Sequence, residues 1–384
     1  MEWAFNLIKD KNRTIVKSAS HGFAEGGHLK YLESLHKLEK LKSFFDVHNS
    51  AASGGHLHIL EWLFKNKYSH TTNFEDICEE AAKNGHLHII QWVHSLDRLV
   101  SNSFYEAAAN GHFHILDWLD SVGEEATTYH MSHAAKGGMK VLEWFLAHGV
   151  ELHEVASEGA AAAGRLDVLN YLKEKGIAWG EDVCALAAFG GHLELLKYLV
   201  NNGCKIGWKT CSYAAKAGNL EIVKWLRENN CEWNEKTTYH AAKFGYLETL
   251  KWALENGCEC NFSECATMAT ENGHLHVLKY LIENNLDEID TYDIAESAVS
   301  TYHLDIVIYL NEIGVDFDES IAEQAKVGDL EMKEYLTQHC GATSLEAFTG
   351  KKLDLLQWLI DQNCPMTEIP TNELMEQFRK AFQD

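Results

Sequence analysis

The sequence predicts an all-α fold, a curved solenoid of stacked helix-turn-helix units, and three observations carry that prediction. The stretch "AAKNGHLHIIQWV" (Ala81 to Val93) returns with small changes as "AASGGHLHILEWL" from Ala51, "AAANGHFHILDWL" from Ala107 and "MATENGHLHVLKYL" from Met268. The glycine that follows the alanine-rich segment recurs at Gly27, Gly55, Gly85, Gly111, Gly164, Gly191, Gly218, Gly245, Gly273 and Gly328, with 27 residues the commonest interval. A fixed period of that length marks a stack of repeated supersecondary units. Finally, only two prolines occur in 384 residues, Pro365 and Pro370, so nothing before them forces a helix to break.

Each unit reads as two short helices. The first runs through an alanine pair, as in "TCSYAAKAG" from Thr210, and the marker glycine supplies the left-handed residue that ends it. Gly138 holds the marker place in "AAKGGMKVLEWFL", where one residue is missing; Tyr302 and Lys351 replace the glycine in two later copies. The second helix follows, as in "NLEIVKWLREN" from Asn219, with Leu220, Ile222, Val223, Trp225 and Leu226 on a wide apolar arc that suits packing against two neighbours. An acid stands three residues after the marker (Asp167, Glu194, Glu221, Glu248, Asp305, Glu331, Asp354), where it faces the positive end of the helix dipole. Lys197, Lys224 and Lys251 lie three positions further on the same face. An aromatic column comes seven residues after the marker: Trp62, Trp92, Trp118, Tyr171, Tyr198, Trp225, Trp252, Tyr280, Tyr309, Tyr335 and Trp358, with Trp144 joining after the deletion. At helical spacing in a stacked array this column predicts packing between repeats.

A first helix with "AA", a turn "GH" and a second helix "LEIVKWL" resemble the ankyrin repeat, over about residues 20 to 364. The likeness departs from the family's usual 33 residues, because a link such as "CEWNEK" from Cys231 leaves no room for a β-hairpin finger. The compact form is similar to repeats of giant DNA viruses and some protists. The resemblance implies a helical array with fingers reduced or absent. It also implies a protein partner held on the concave side, and a cytoplasmic setting, the host cell's if the chain is viral.

Composition points the same way. With 33 basic against 57 acidic residues the formal charge is −24, which disfavours coating on nucleic acid or anionic lipid. No nucleic-acid or membrane partner is expected. "MEWAFNLIKDKNRTIVK" lacks the apolar core of a signal peptide, and no window offers the ~20 apolar residues of a membrane span. Ten cysteines without a secretion signal read as reduced thiols of a cytoplasmic chain. The 22 histidines would cut the net charge sharply below about pH 6.5.

The histidines and cysteines are the candidates for chemistry. His86 and His88, two apart at a helix start, should diverge by about 200°; a helical zinc pair needs a spacing of three or four. Equivalent histidines in neighbouring repeats stand about 8–10 Å apart, too far to share an ion. The first of each pair is expected to bond backbone at the turn. His130 and His133 have the right spacing but no third ligand in a recognisable motif. Cys204, Cys231, Cys258 and Cys364 share one repeat position and Cys78, Cys184 and Cys211 another, as small buried apolar residues do. Cys258, Cys260 and Cys265 form a three-thiol group without a fourth partner. No catalytic residue, cofactor or metal ligand set is predicted, and the chain is not expected to be an enzyme.

What is left is the long surface. Alanine pairs let the first helices approach while bulky aromatics spread the second helices, so the first helices should line the concave side. Partner-contact candidates there include the residues before each marker glycine: Lys83 and Asn84, Phe189, Lys216, Lys243 and Phe244, Glu271 and Asn272, with Tyr239 on the same face. Residues 1–45 read as a divergent, capping repeat with Ser34 at the aromatic position, 46–364 as the array, and 365–384 ("TNELMEQFRKAFQD") as a capping helix. The expected function is a monomeric, non-catalytic protein-interaction scaffold. Two other readings stay open: an adaptor delivering a bound protein to a ubiquitin ligase through the last twenty or so residues, as viral relatives imply, and a metal-binding protein or enzyme built on the repeat histidines and cysteines.

Overall fold

The structure is a computed structural model; it describes residues 13–37, 47–66, 73–180, 182–285, 289–317 and 321. The chain divides into two compact units, Met1–Thr210 and Cys211–Asp384. Among the described residues every regular element is helical and no strand occurs.

The first unit holds α1 (Arg13–Glu25), α2 (Leu29–Lys37), α3 (Val47–Ser53), α4 (Leu57–Lys65), α5 (Phe74–Lys83), α6 (Leu87–Ser95), α7 (Ser103–Asn110), α8 (Phe113–Ser121), α9 (Met131–Gly137), α10 (Met139–Ala147), α11 (Val155–Ala162), α12 (Leu166–Glu174), α13 (Val183–Phe189) and α14 (Leu193–Asn201). A 3₁₀ turn, Thr128–His130, leads into α9. The unit boundary falls inside α15 (Trp208–Lys216). The second unit continues with α16 (Leu220–Glu228), α17 (Glu235–Lys243), α18 (Leu247–Glu255), α19 (Phe262–Glu271), α20 (Leu275–Asn285), α21 (Thr291–Ser300) and α22 (Leu304–Glu312). Odd-numbered helices are the first of each hairpin and even-numbered ones the second.

The alanine pairs explain the spacing of the first helices. Ala51 and Ala52, Ala81 and Ala82, Ala107 and Ala108, Ala134 and Ala135 and Ala160 and Ala161 are all fully buried. In the first unit α3, α5, α7, α9 and α11 pack in succession, and in the second α17 packs on α19 and α19 on α21. Gly159, in the middle of α11, has no room for a side chain, because a Cβ there would meet the Ser132 carbonyl of α9. Second helices bury a repeated trio such as Ile89, Ile90 and Val93, each side chain contributing about 1.5–3 kcal/mol of hydrophobic stabilisation.

The turn inside each hairpin is a Schellman motif. At Gly85 (φ 79°) the Gly85 N–H donates to the Ala82 carbonyl and the His86 N–H to the Ala81 carbonyl at 2.8 Å. The missing residue near Gly138 takes a different form. There α9 ends at Gly137 and α10 starts at Met139, and Gly138 alone bridges them at φ 100°, ψ −177°, a region that only glycine enters without strain. Tyr302 takes the left-handed conformation (φ 68°) at the marker place without being glycine. Links between hairpins are short turns ended by caps: Asn73, Asn234, Asn261 and Asp290 accept first-turn N–H bonds of α5, α17, α19 and α21.

Candidate interaction surface

The residue after the marker glycine is the first to account for, because the second helices lack side-chain caps there. His86 caps α6 from a non-helical conformation (φ −89°, ψ 66°). It therefore escapes the predicted divergence, and the His86 and His88 rings lie 5.9 Å apart, facing the same way. Both reach the preceding repeat rather than their own turn. His86 Nε2 donates to the Ser53 carbonyl and His88 Nε2 to the Gly55 carbonyl, each at 3.0 Å. His112 and His114 bond Lys83 and Gly85 in the same way, and His56 and His58 bond Glu25 and Gly27. Single members of the pair do likewise: His192 to Ala162, His303 to Glu271 and His276 to Gly245. Arg165 Nε replaces the first histidine and donates to the Lys136 carbonyl at 3.2 Å.

The pair is thus a two-point staple. Its first member bonds a carbonyl at the end of a preceding first helix, and its second shares the marker-glycine carbonyl, which at Gly85 also accepts the Leu87 N–H. The marker glycine has a second duty, since a Cβ at Gly85 would come within 3.0 Å of the His112 ring and one at Gly245 within 2.7 Å of His274. A carbonyl acceptor requires a proton on Nε2, so each stapling imidazole is committed as a donor. Burial pushes the pKa of His86 and of His274 below the ordinary histidine value.

The aromatic column packs between repeats within each unit. Trp144 Nε1 donates to Asp117 Oδ1 at 2.8 Å and the Tyr198 hydroxyl to Asn170 Oδ1 at 2.9 Å, each partner being on the preceding second helix. His36 and His94 meet the edges of Trp62 and Trp118, and Lys224, Lys251 and Lys279 lie over Trp252, Tyr280 and Tyr309. Lys197 and Lys251 also pair with Glu194 and Glu248 at 2.7 and 3.5 Å. Tyr335, Trp358, Gly328, Lys351, Cys364 and the segment 365–384 lie outside the described residues.

The cysteines depart from expectation at one place. Cys184 and Cys204 form a disulfide, where free thiols were expected; the hairpin brings the start of a first helix beside the residue that follows the second. Cys211 and Cys231 occupy the same two repeat positions and face each other as thiols, the partner sulfur raising the Cys211 pKa more than burial does. Burial raises Cys78 to about 12. Cys260 and Cys265 sulfurs lie 3.6 Å apart. His130 is buried and accepts from the Thr127 N–H through Nδ1, and burial lowers the pKa of both His130 and His133. Among the described residues no group of three or more His, Cys, Asp or Glu is placed to hold a metal ion, and no helix is long and apolar enough to cross a membrane.

The candidate partner residues sit at or just after the ends of first helices, except Tyr239, which lies in the middle of α17. Lys83 and Asn84 at the end of α5 are exposed, and Asn84 caps the helix through its amide on the Glu80 carbonyl at 2.9 Å. Glu271 and Asn272 occupy the same places at the end of α19, with Asn272 bonded to the Met268 carbonyl. Phe189 is 41% and Phe244 37% exposed, despite their size. Lys216, Tyr239 and Lys243 are half-buried; the Tyr239 hydroxyl donates to Met268 Sδ at 3.3 Å. Side-chain amides that close helix ends (Asn66, Asn202, Asn229, Asn256) were not anticipated; asparagine directly after these four second helices was the available signal.

Hairpins of this kind, stapled only to their neighbours, define a helical repeat protein. Residues 152–237 and 238–320 match the family model for ankyrin repeats (3 copies), and these segments carry ankyrin repeats. Solved structures similar to it include the human ASB11 ankyrin repeat domain, at 17% identity and TM-score 0.38, covering 48% of this chain and 96% of that one. Another is the pentatricopeptide repeat protein PPR10 from maize, at 12% identity and TM-score 0.35, covering 81% of this chain and 56% of that one. No curated protein matches the sequence. Ankyrin repeats in general mediate protein–protein interaction and are typically non-catalytic.

Proposed function

We propose that the chain is a non-catalytic, cytoplasmic, monomeric scaffold that binds a partner protein along the face of its first helices, the concave one by the alanine and aromatic argument. Lys83, Asn84, Phe189, Lys216, Tyr239, Lys243, Phe244, Glu271 and Asn272 are the contact residues of this reading. The observation that carries it is the exposure of Phe189 and Phe244 on first-helix ends, while the residues with chemical potential are engaged internally. Stapling imidazoles donate to backbone, the aromatic column packs on neighbouring second helices, and buried thiols such as Cys78 are held protonated. A large, partly exposed ring at a helix end suits an interface anchor.

The test is affinity purification of the full chain beside a Phe189→Ala/Phe244→Ala variant that unfolds at the same denaturant concentration. A stoichiometric partner recovered by the wild type and lost by the variant is expected. Equal recovery by both would move the interface elsewhere, and no partner for either would remove the scaffold reading.

A further inference from the structure

We propose that the first-helix face of the second unit takes an acidic protein segment carrying an apolar side chain, seated on Lys216, Lys236, Lys243, Tyr239 and Phe244. The proposal rests on the scaffold reading and names the partner's chemistry. In a chain with 57 acidic and 33 basic residues, an acidic face is the default. Instead three ammonium groups gather on one aromatic cluster. Lys236 Nζ lies 4.6 Å and Lys243 Nζ 5.9 Å from the Tyr239 ring centre. Lys216 Nζ lies 5.9 Å from the Phe244 ring and 5.6 Å from Tyr213. Held over rings, these side chains have less rotamer freedom to lose on binding.

The His240 ring sits between them, 5.2 Å from Tyr239 and 6.1 Å from Phe244. Burial, and then Lys216, Lys243 and Lys236, push its pKa down to about 4, so a positive potential reaches even the half-buried layer of this face. A carboxylate already settles here, because Glu264 Oε1 lies 3.7 Å from Lys236 Nζ. A segment with carboxylates spaced about one helix layer apart, roughly 10 Å, would meet Lys216 and Lys243 and set an apolar side chain on Phe244. Single-stranded nucleic acid also favours rings and ammonium groups. Its unbroken phosphate charge would however run against Glu264, which already lies beside Lys236, whereas a peptide can place its charges on either side of it.

The chain itself offers a competing acidic face. On α5 of the first unit, burial and then Asp76, Glu106, Glu75 and Glu80 raise the pKa of Glu79. A second copy is therefore one outcome of the test. The full chain is titrated against a short fluorescein-labelled peptide of glutamates around one leucine, its glutamine analogue, and a labelled oligothymidine, with anisotropy as the readout. The glutamate peptide should bind, weaken as salt rises from ~50 to ~150 mM and the Debye length shortens, and exceed the glutamine analogue by about tenfold. Lys216→Gln/Lys243→Gln should lose about tenfold, and Lys236→Gln and Phe244→Ala each several-fold, with helical circular dichroism unchanged.

Equal binding of the glutamine analogue, unchanged binding by the lysine variants, or tighter binding of oligothymidine overturns the proposal. So does a wild-type dimer in sedimentation that Lys216→Gln/Lys243→Gln abolishes, since the occupant is then a second copy. If a stoichiometric partner is purified equally by the wild type and this lysine variant, the inference fails and the scaffold stands. If the wild type purifies none, the scaffold itself fails.

Discussion

A single imidazole in this chain joins two repeats. His112 Nε2 on Lys83 and His114 Nε2 on Gly85 each contribute about 1 kcal/mol, with more at stake because a carbonyl loses its partner. His112→Ala should lower unfolding free energy by about 1–3 kcal/mol in urea titration, with His112→Gln losing less because an amide still donates. A loss confined to a few tenths of a kcal/mol would mean that water replaces the bond freely. Acid should act through the same residue type. His86, His274 and His240 have pKa values lowered in the fold. In the unfolded chain they protonate near about 6.5, so the unfolded state binds more protons below that pH. Stability is full above about pH 6.5 and declines as pH falls toward about 4, the folded value of His240. His240→Gln should flatten that decline; an unchanged slope would show that His240 binds its proton equally in the folded and unfolded states. The sequence made the histidines conspicuous and their structural role readable. It did not reveal their direction, because the bond partner is a backbone carbonyl some thirty residues away.

At the scale of the element, small residues set helix spacing. Helix propensity alone would make Gly159→Ala stabilising by about 1 kcal/mol. The Ser132 carbonyl occupies the place of the new methyl group, so the substitution should instead destabilise by about 1–3 kcal/mol, through overpacking between α9 and α11. A rise in the urea midpoint would show that α11 can shift outward without penalty. On the second helices, Tyr198→Phe removes the hydroxyl bond to Asn170 and should cost about 1 kcal/mol, measured the same way. Helix identity, the alanine pairs and the aromatic column were legible because their period is a property of the chain. Gly159 was not, since a glycine inside "EGAAAAGRL" reads as composition until the opposing carbonyl is placed. The Cys184–Cys204 disulfide was hidden for a related reason: both positions recur as buried cysteine elsewhere, and only the hairpin's closure brings them together.

For the whole molecule the ledger of charge matters more than any pair. At neutral pH the chain carries a formal charge of −24, which keeps molecules apart in solution. Solubility should therefore fall as acid brings the chain toward its sequence isoelectric point of about 5.3. Turbidity followed against pH, with and without added salt, checks this; a clear solution throughout would show that net charge is not what keeps the protein dispersed. The candidate surface was legible only in part. The positions before each marker glycine follow from the repeat, but Lys216, Lys236 and Lys243 come together by stacking α15 on α17, and no run of sequence displays them as a group.

The staples all point one way: the later hairpin donates and the earlier one accepts. During translation the earlier hairpin leaves the ribosome first, with its turn carbonyls still bonded to water. Its successor then emerges carrying the imidazoles that fasten it. A stapled turn therefore gains its imidazole partner only once the next hairpin has been made, so the bond can form in the order of synthesis without waiting for the chain to finish.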